Sequence, residues 1–131
     1  MRTITHLVVH CTATAPTASV ESIQRYWRTN LGWKSPGYHI LIDHRGVAHR
    51  LAPDSAVCNG VAGHNATSLH VSYIGGANND NRTMGQKSTL INVLRDWRKL
   101  YPNAKICGHR DFPNVRKACP QFDAIKEYDY L

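Results

Sequence analysis

The stretch YHILIDHRGVAHRL (residues 38–51) holds two short apolar runs, 38–43 and 46–51, separated by the turn DHRG. Two β-type runs joined by so short a polar turn predict a hairpin. Elsewhere in the chain, strand-like and helix-like segments alternate. The hairpin therefore predicts a mixed sheet inside an α/β fold.

Upstream, ITHLVVHC (4–11) is rich in β-branched residues and reads as a strand. TATAPTA follows as a loop. From Ser19, a candidate N-cap, Val20, Ile23, Tyr26 and Trp27 recur at helical spacing until Gly32. Downstream, residues 52–68 read as loop and LHVSYIGG (69–76) as a strand ended by two glycines. A polar loop, ANNDNRTMG, leads to Thr83 and Gln86, spaced as a capping box. The helix behind it carries the stripe Leu90, Leu94, Trp97 and Tyr101, and Pro102 ends it. AKICG (104–108) is a short strand, and a last helix is expected from near Pro120, burying Phe122 and Ile125. The expectation is one α/β domain over 1–131, with a central mixed β-sheet flanked by helices.

With 131 residues the chain is long enough for its own hydrophobic core. No apolar run reaches the roughly 18–20 residues of a membrane span. No signal peptide is legible at the start, so the expectation is synthesis in the cytoplasm, with release or export before any action outside. The net charge is +7, and nine of the sixteen Lys/Arg fall between Arg82 and Lys117. That excess favours an anionic partner such as nucleic acid, an acidic membrane surface or a wall polymer. No nucleic-acid-binding motif is present, which argues against the first. The four cysteines, 11, 58, 107 and 119, form no CxxC pair and no disulfide framework.

Three residues stand out chemically. His10 closes the first strand, His109 follows the last one, and Cys119 comes ten residues later. Strand ends in an α/β sheet can meet at one edge. Two imidazoles and a thiolate are zinc donors that leave a fourth position open, the pattern of a catalytic site. Spacing alone leaves the other reading open: His10 and Cys119 in the core, His109 on the surface. Cys11, next to His10 in a strand, should face the opposite way and join the core. His6, His49 and His70 read as satisfied polar residues. His39 should point away from Tyr38, and Asp111 should orient a ligand imidazole or hold its loop.

Four words occur in fixed order: VVHCTAT, GYHILIDHRG, GHNATSLHVSYIGG and GHRD…KACPQFD. Together they resemble the zinc-dependent N-acetylmuramoyl-L-alanine amidases, the family of phage-type amidase lysozymes and peptidoglycan recognition proteins. The likeness runs from about Ile4 to about Tyr128. It implies one zinc ion per chain, held by His10, His109 and Cys119, with Tyr38 and Lys117 as catalytic residues. It implies hydrolysis of the bond between N-acetylmuramic acid and L-alanine in peptidoglycan, an endolysin-like lysis of the cell wall. His64 and Asn65 would border the substrate groove as contacts. The chain departs from the family at CNGVAG (58–63), where many members carry a histidine-alanine pair. The preferred stem peptide is therefore not implied by the resemblance. A non-catalytic peptidoglycan-binding module is the alternative, and Cys119 argues against it because such members often lack the cysteine. A monomer is expected.

Overall fold

The computed structural model describes residues 2–131. Five strands form one sheet: β1 (His6–Cys11), β2 (Ile40–Ile42), β3 (Ala48–Arg50), β4 (Ser68–Tyr73) and β5 (Lys105–Gly108). Their spatial order is β3-β2-β4-β1-β5. β1 lies parallel to both β4 and β5, and β2 lies parallel to β4. Only β3 runs antiparallel, against β2, so the hairpin makes the sheet mixed as its sequence predicts. The helices are α1 (Val20–Thr29), α2 (Met84–Leu100) and α3 (Ala124–Tyr128).

Local chemistry sets these elements. In the hairpin turn, Oδ1 of Asp43 accepts from the backbone N–H groups of Arg45 (2.9 Å) and Val47 (3.1 Å). Gly46 takes φ +87°, which glycine adopts without a steric penalty. A Cβ there would stand 2.7 Å from the carbonyl carbon and oxygen of Gly85, so the hairpin tip presses on the start of α2. The Ser19 hydroxyl caps α1 by accepting from the Ser22 N–H (3.0 Å). For α2 the capping box forms: Thr83 Oγ1 accepts from the Gln86 N–H (3.1 Å), and Gln86 Oε1 accepts from the Thr83 N–H (3.0 Å). The Gln86 amide then donates to the carbonyls of Ile42 (3.3 Å) and Ile74 (3.1 Å), tying the helix start to β2 and the end of β4.

Strand alternation sorts the core into two layers. Leu7, Val9 and Cys11 of β1, with Leu69, Val71 and Tyr73 of β4, pack against Leu90, Leu94 and Trp97 of α2 and Tyr128 of α3. On the other face, α1 buries Ile23 and Trp27 against Leu41 and Ile74. β4 reads SLHVSY, an alternation suited to a strand with one wet face, yet all six residues are buried. Its polar half, Ser68, His70 and Ser72, shares the face of His10.

Three expectations need correction. The last helix starts at Ala124 under an Asp123 cap, and not near Pro120. Gln121 sits at φ +77°, a left-handed conformation that no α-helix passes through. Ile125 is 41% exposed, while Ala124 and Tyr128 supply the buried contacts of α3. Phe122 is only partly buried and lies under Arg82, whose guanidinium carbon is 3.4 Å from the ring centroid. The Arg82 side chain also bonds Asp80, Glu127 and the Tyr128 hydroxyl, clamping the loop before α2 onto α3. In α1, Tyr26 faces solvent even though its spacing fits the apolar stripe.

Candidate metal centre and active site

β1 and β5 run parallel and side by side, so their C-terminal ends reach the same edge of the sheet. Alternation sends Cys11 into the core beneath α2 and turns His10 to the other face. After β5, Oδ2 of Asp111 accepts from the Gly108 N–H (2.7 Å) and turns the chain into a 3-10 turn, His109–Asp111, that carries His109. Asp111 thus holds the loop. Further on, the Arg110 N–H donates to the Cys119 carbonyl (2.9 Å), which returns the loop to the site. The Cys119 Sγ there accepts from the Cys11 N–H (3.2 Å).

His10, His109 and Cys119 therefore meet, as the resemblance implies and as spacing alone leaves open. Their ligand atoms all lie within 4.8 Å of one another, and His10 Nδ1 is 4.0 Å from Cys119 Sγ. Tetrahedral zinc with ordinary bond lengths would set an N···S edge of about 3.6 Å. A small inward shift suffices, and a mixed nitrogen–sulfur donor set suits zinc. Burial holds His10 well below its ordinary pKa, with His70, His109 and Lys117 adding to the effect. Burial, then Lys117, also lowers His109. Both rings are thus neutral near pH 7, the form that binds a metal. A hydrogen bond with the Cys11 side chain, then burial, raise the Cys119 thiol and outweigh the lowering by the Cys11 backbone N–H, so a metal must displace its proton.

Tyr38 packs its ring against His10 (4.9 Å between centroids) and edge-on to Trp27 (5.3 Å). Its hydroxyl is directed to the Cys11 carbonyl at 3.4 Å. Burial, reinforced by Cys119, pushes its pKa up, so near neutral pH it remains a hydrogen-bond donor. Lys117 is exposed at the lip of the same pocket, about 180 Å³ in volume, which also holds the three donors. That pocket opens onto a groove of about 690 Å³ bordered by Trp33, Asn59, His64, Asn65 and Arg116. His64 also packs on Phe112 (4.6 Å), and Asn65 turns its Oδ1 inward, accepting from the Val61 N–H at 2.8 Å. A separate cavity of about 490 Å³ between His6, Ile106 and Phe112 contains none of the three donors.

Sequence reasoning read His70 as a satisfied polar residue, without placing it beside His10, and passed over Trp33. His70 is fully buried, with Nδ1 2.9 Å from His10 Nε2 and Nε2 3.0 Å from Asn65 Oδ1. The alternation in β4, with His70 paired to Val8, is the signal that puts it on the face of His10. His39 points away from Tyr38 as expected, its Nε2 2.7 Å from the Ala56 carbonyl. No cysteine among the described residues is paired. Burial pushes the Cys58 thiol up to about 11 and the Cys107 thiol up to about 12, so neither is a nucleophile near neutral pH.

The sequence profile of the N-acetylmuramoyl-L-alanine amidases matches residues 1–122, a span that contains all three donors, Tyr38 and Lys117. The chain belongs to the N-acetylmuramoyl-L-alanine amidase family. It is 37% identical over 121 residues to the endolysin of Enterobacteria phage K11, covering 88% of this chain and 79% of that protein. The structure superposes on the N-acetylmuramoyl-L-alanine amidase LysC from Clostridium intestinale URNW with a TM-score of 0.83 at 25% identity, covering 96% and 82% of the two chains. Drosophila PGRP-LB shares the fold, with a TM-score of 0.82 at 17% identity over 97% of this chain and 80% of that one. In this amidase, among the described residues, no helix is long and apolar enough to cross a membrane.

Proposed function

We propose that this chain hydrolyses the amide bond between N-acetylmuramic acid and L-alanine in bacterial peptidoglycan, with one zinc ion held by His10, His109 and Cys119. The observation that carries the reading is the meeting of these three donors in one pocket with Tyr38 and Lys117. When bound, zinc supplies Lewis acidity, polarising the scissile carbonyl and making water nucleophilic near neutral pH.

The chain's own groups do the rest. The Lys117 ammonium offers positive charge to the oxygen of the scissile carbonyl as its charge develops. Tyr38, kept protonated by burial, donates a hydrogen bond to the same oxygen or a proton to the departing amine. Trp27 and His10 hold its ring, so only the hydroxyl proton turns, from the Cys11 carbonyl to the substrate. The groove beside the pocket receives the stem peptide, with His64 and Asn65 at its border. A net charge of +7 favours docking on an anionic wall. The protein acts as a monomer, is made in the cytoplasm and reaches the wall after release or export.

The test is a turbidity assay on purified peptidoglycan, with and without a chelator, joined to mass analysis of what is released. Chelator-sensitive release of stem peptides beginning at L-alanine is expected. Binding to the wall without release, zinc being present, would make the protein a recognition module instead.

A further inference from the structure

We infer that His70 is a positioning residue for the metal centre: together with Asn65 and Gly60 it decides which nitrogen of His10 faces the metal. The inference rests on the zinc reading above, and a buried chain of hydrogen bonds carries it.

The chain begins at a donor that admits no ambiguity. The Val61 backbone N–H can only donate, so the Asn65 atom 2.8 Å away is its carbonyl Oδ1. That same oxygen lies 3.0 Å from Nε2 of His70. An amide oxygen only accepts, so His70 carries its proton on Nε2. The His70 ring is fully buried, and its ring nitrogens are hydrogen-bonded to His10 and Asn65, neither of them an acid. It therefore holds one ring proton, and its Nδ1 is a bare lone pair. His10 Nε2, 2.9 Å from that lone pair, must then be the donor. The proton of His10 is thus on Nε2, and its lone pair is on Nδ1, the nitrogen 4.0 Å from Cys119 Sγ. The metal-binding tautomer is set before any metal arrives.

Space is arranged for the same purpose. A Cβ on residue 60 would stand 2.2 Å from Nδ1 of His70, so the imidazole fills room that only a glycine leaves. Arg2 steadies the far end by donating to the Asn65 and Ser68 carbonyls (3.1 and 3.3 Å). Gly60, Val61 and Asn65 also line the groove, so zinc affinity and the His10 tautomer, not turnover, separate positioning from substrate binding.

Two measurements test it. The first is nitrogen-15 NMR of labelled histidines in the metal-free protein. His10 is expected with a protonated Nε2 and an unprotonated Nδ1. A proton on Nδ1 of His10 would overturn the inference. The second is zinc affinity by competition with a chromophoric chelator, for the wild type and for His70→Leu, Gly60→Ala and His70→Asn. His70→Leu removes the acceptor, and Gly60→Ala displaces the ring. Both should weaken zinc by roughly 10–100-fold. His70→Asn places an amide oxygen near the lost Nδ1 and should recover most of the affinity, which a packing role alone would not restore. Wild-type affinity in folded His70→Leu would overturn the relay while leaving the zinc reading intact. A wild type that binds no zinc would remove both. Should His70→Leu fail to fold, the NMR comparison moves to Asn65→Leu, where a mixture of His10 tautomers is expected and an unchanged Nε2–H counts against the relay.

Discussion

The backbone N–H of Cys11 donates to Sγ of Cys119 across 3.2 Å, linking the end of the first strand to the loop that follows the last. An N–H donor of this kind stabilises a thiolate more than a thiol. The bond therefore favours the metal-bound form of Cys119. Replacing the sulfur should undo both the ligand and its support. Cys119→Ser is expected to lower zinc affinity by more than about 100-fold, beyond what loss of an outer-shell partner costs. Equilibrium dialysis against zinc checks it, and an affinity near wild type would remove Cys119 from the ligand set.

Tyr38 and Lys117 make the opposite prediction. Neither donates to the metal, so Tyr38→Phe and Lys117→Ala should keep zinc. Each should lower kcat by about 10²–10³-fold, the usual cost of removing one donor to a developing oxyanion. Metal content and turnover measured on the same preparations separate the cases. If turnover is unchanged in either variant, its catalytic role is wrong.

Asp43 ties stability to pH. Burial opposes its ionisation, but hydrogen bonds from His49, Arg45 and the backbone N–H groups of Val47 and Arg45 outweigh burial and hold the carboxyl well below the usual range. A carboxylate with a depressed folded pKa contributes its full stability above the unfolded value of about 4, and loses it as pH falls through the folded value. Asp43→Asn should therefore cost roughly 2 kcal/mol at pH 7, as expected for hydrogen bonds to a charged group. The gap to wild type should narrow below pH ~4. Urea unfolding at pH 7 and pH 3 reads it, and a gap that widens in acid would refute the assignment.

Arg82 carries a heavier structural load. Its side chain is 1% exposed, pairs with Asp80 and Glu127, and lies over Phe122. Its acid partners are partly exposed, so they regain water when the arginine goes. Arg82→Ala should cost roughly 2–4 kcal/mol, near the lower part of the range for broken buried pairs. Arg82→Lys should recover only part, because one ammonium cannot replace two bidentate contacts. Thermal unfolding of the three proteins checks the order.

What was legible in the sequence was mainly local. The Thr83–Gln86 capping box, the Ser19 cap and the hairpin depend on residues a few positions apart, and each forms as read. Alternation within β1 correctly set Cys11 opposite His10. The donors His10, His109 and Cys119 were readable because four words stood in family order; spacing alone left them ambiguous. Contacts between distant segments were not legible. Ile125 looked buried until the left-handed Gln121 delayed the helix and rotated its face. His70 looked like an ordinary strand histidine, since its partner His10 is sixty residues away. The buried polar face of β4 has the same pattern as a strand facing water, and only the loops folded over it tell the two apart.

The place of β1 in the sheet has a consequence for biosynthesis. It lies between β4 and β5 in a run of four parallel strands, yet it leaves the ribosome before either neighbour, Ser68–Tyr73 or Lys105–Gly108. Such non-local pairing folds slowly, because the chain between must be ordered before any contact repays it. The three donors also come from opposite ends of the chain. A nascent or truncated chain that stops short of Cys119 has no complete ligand set, so the chemistry is withheld until Cys119 itself has emerged and docked.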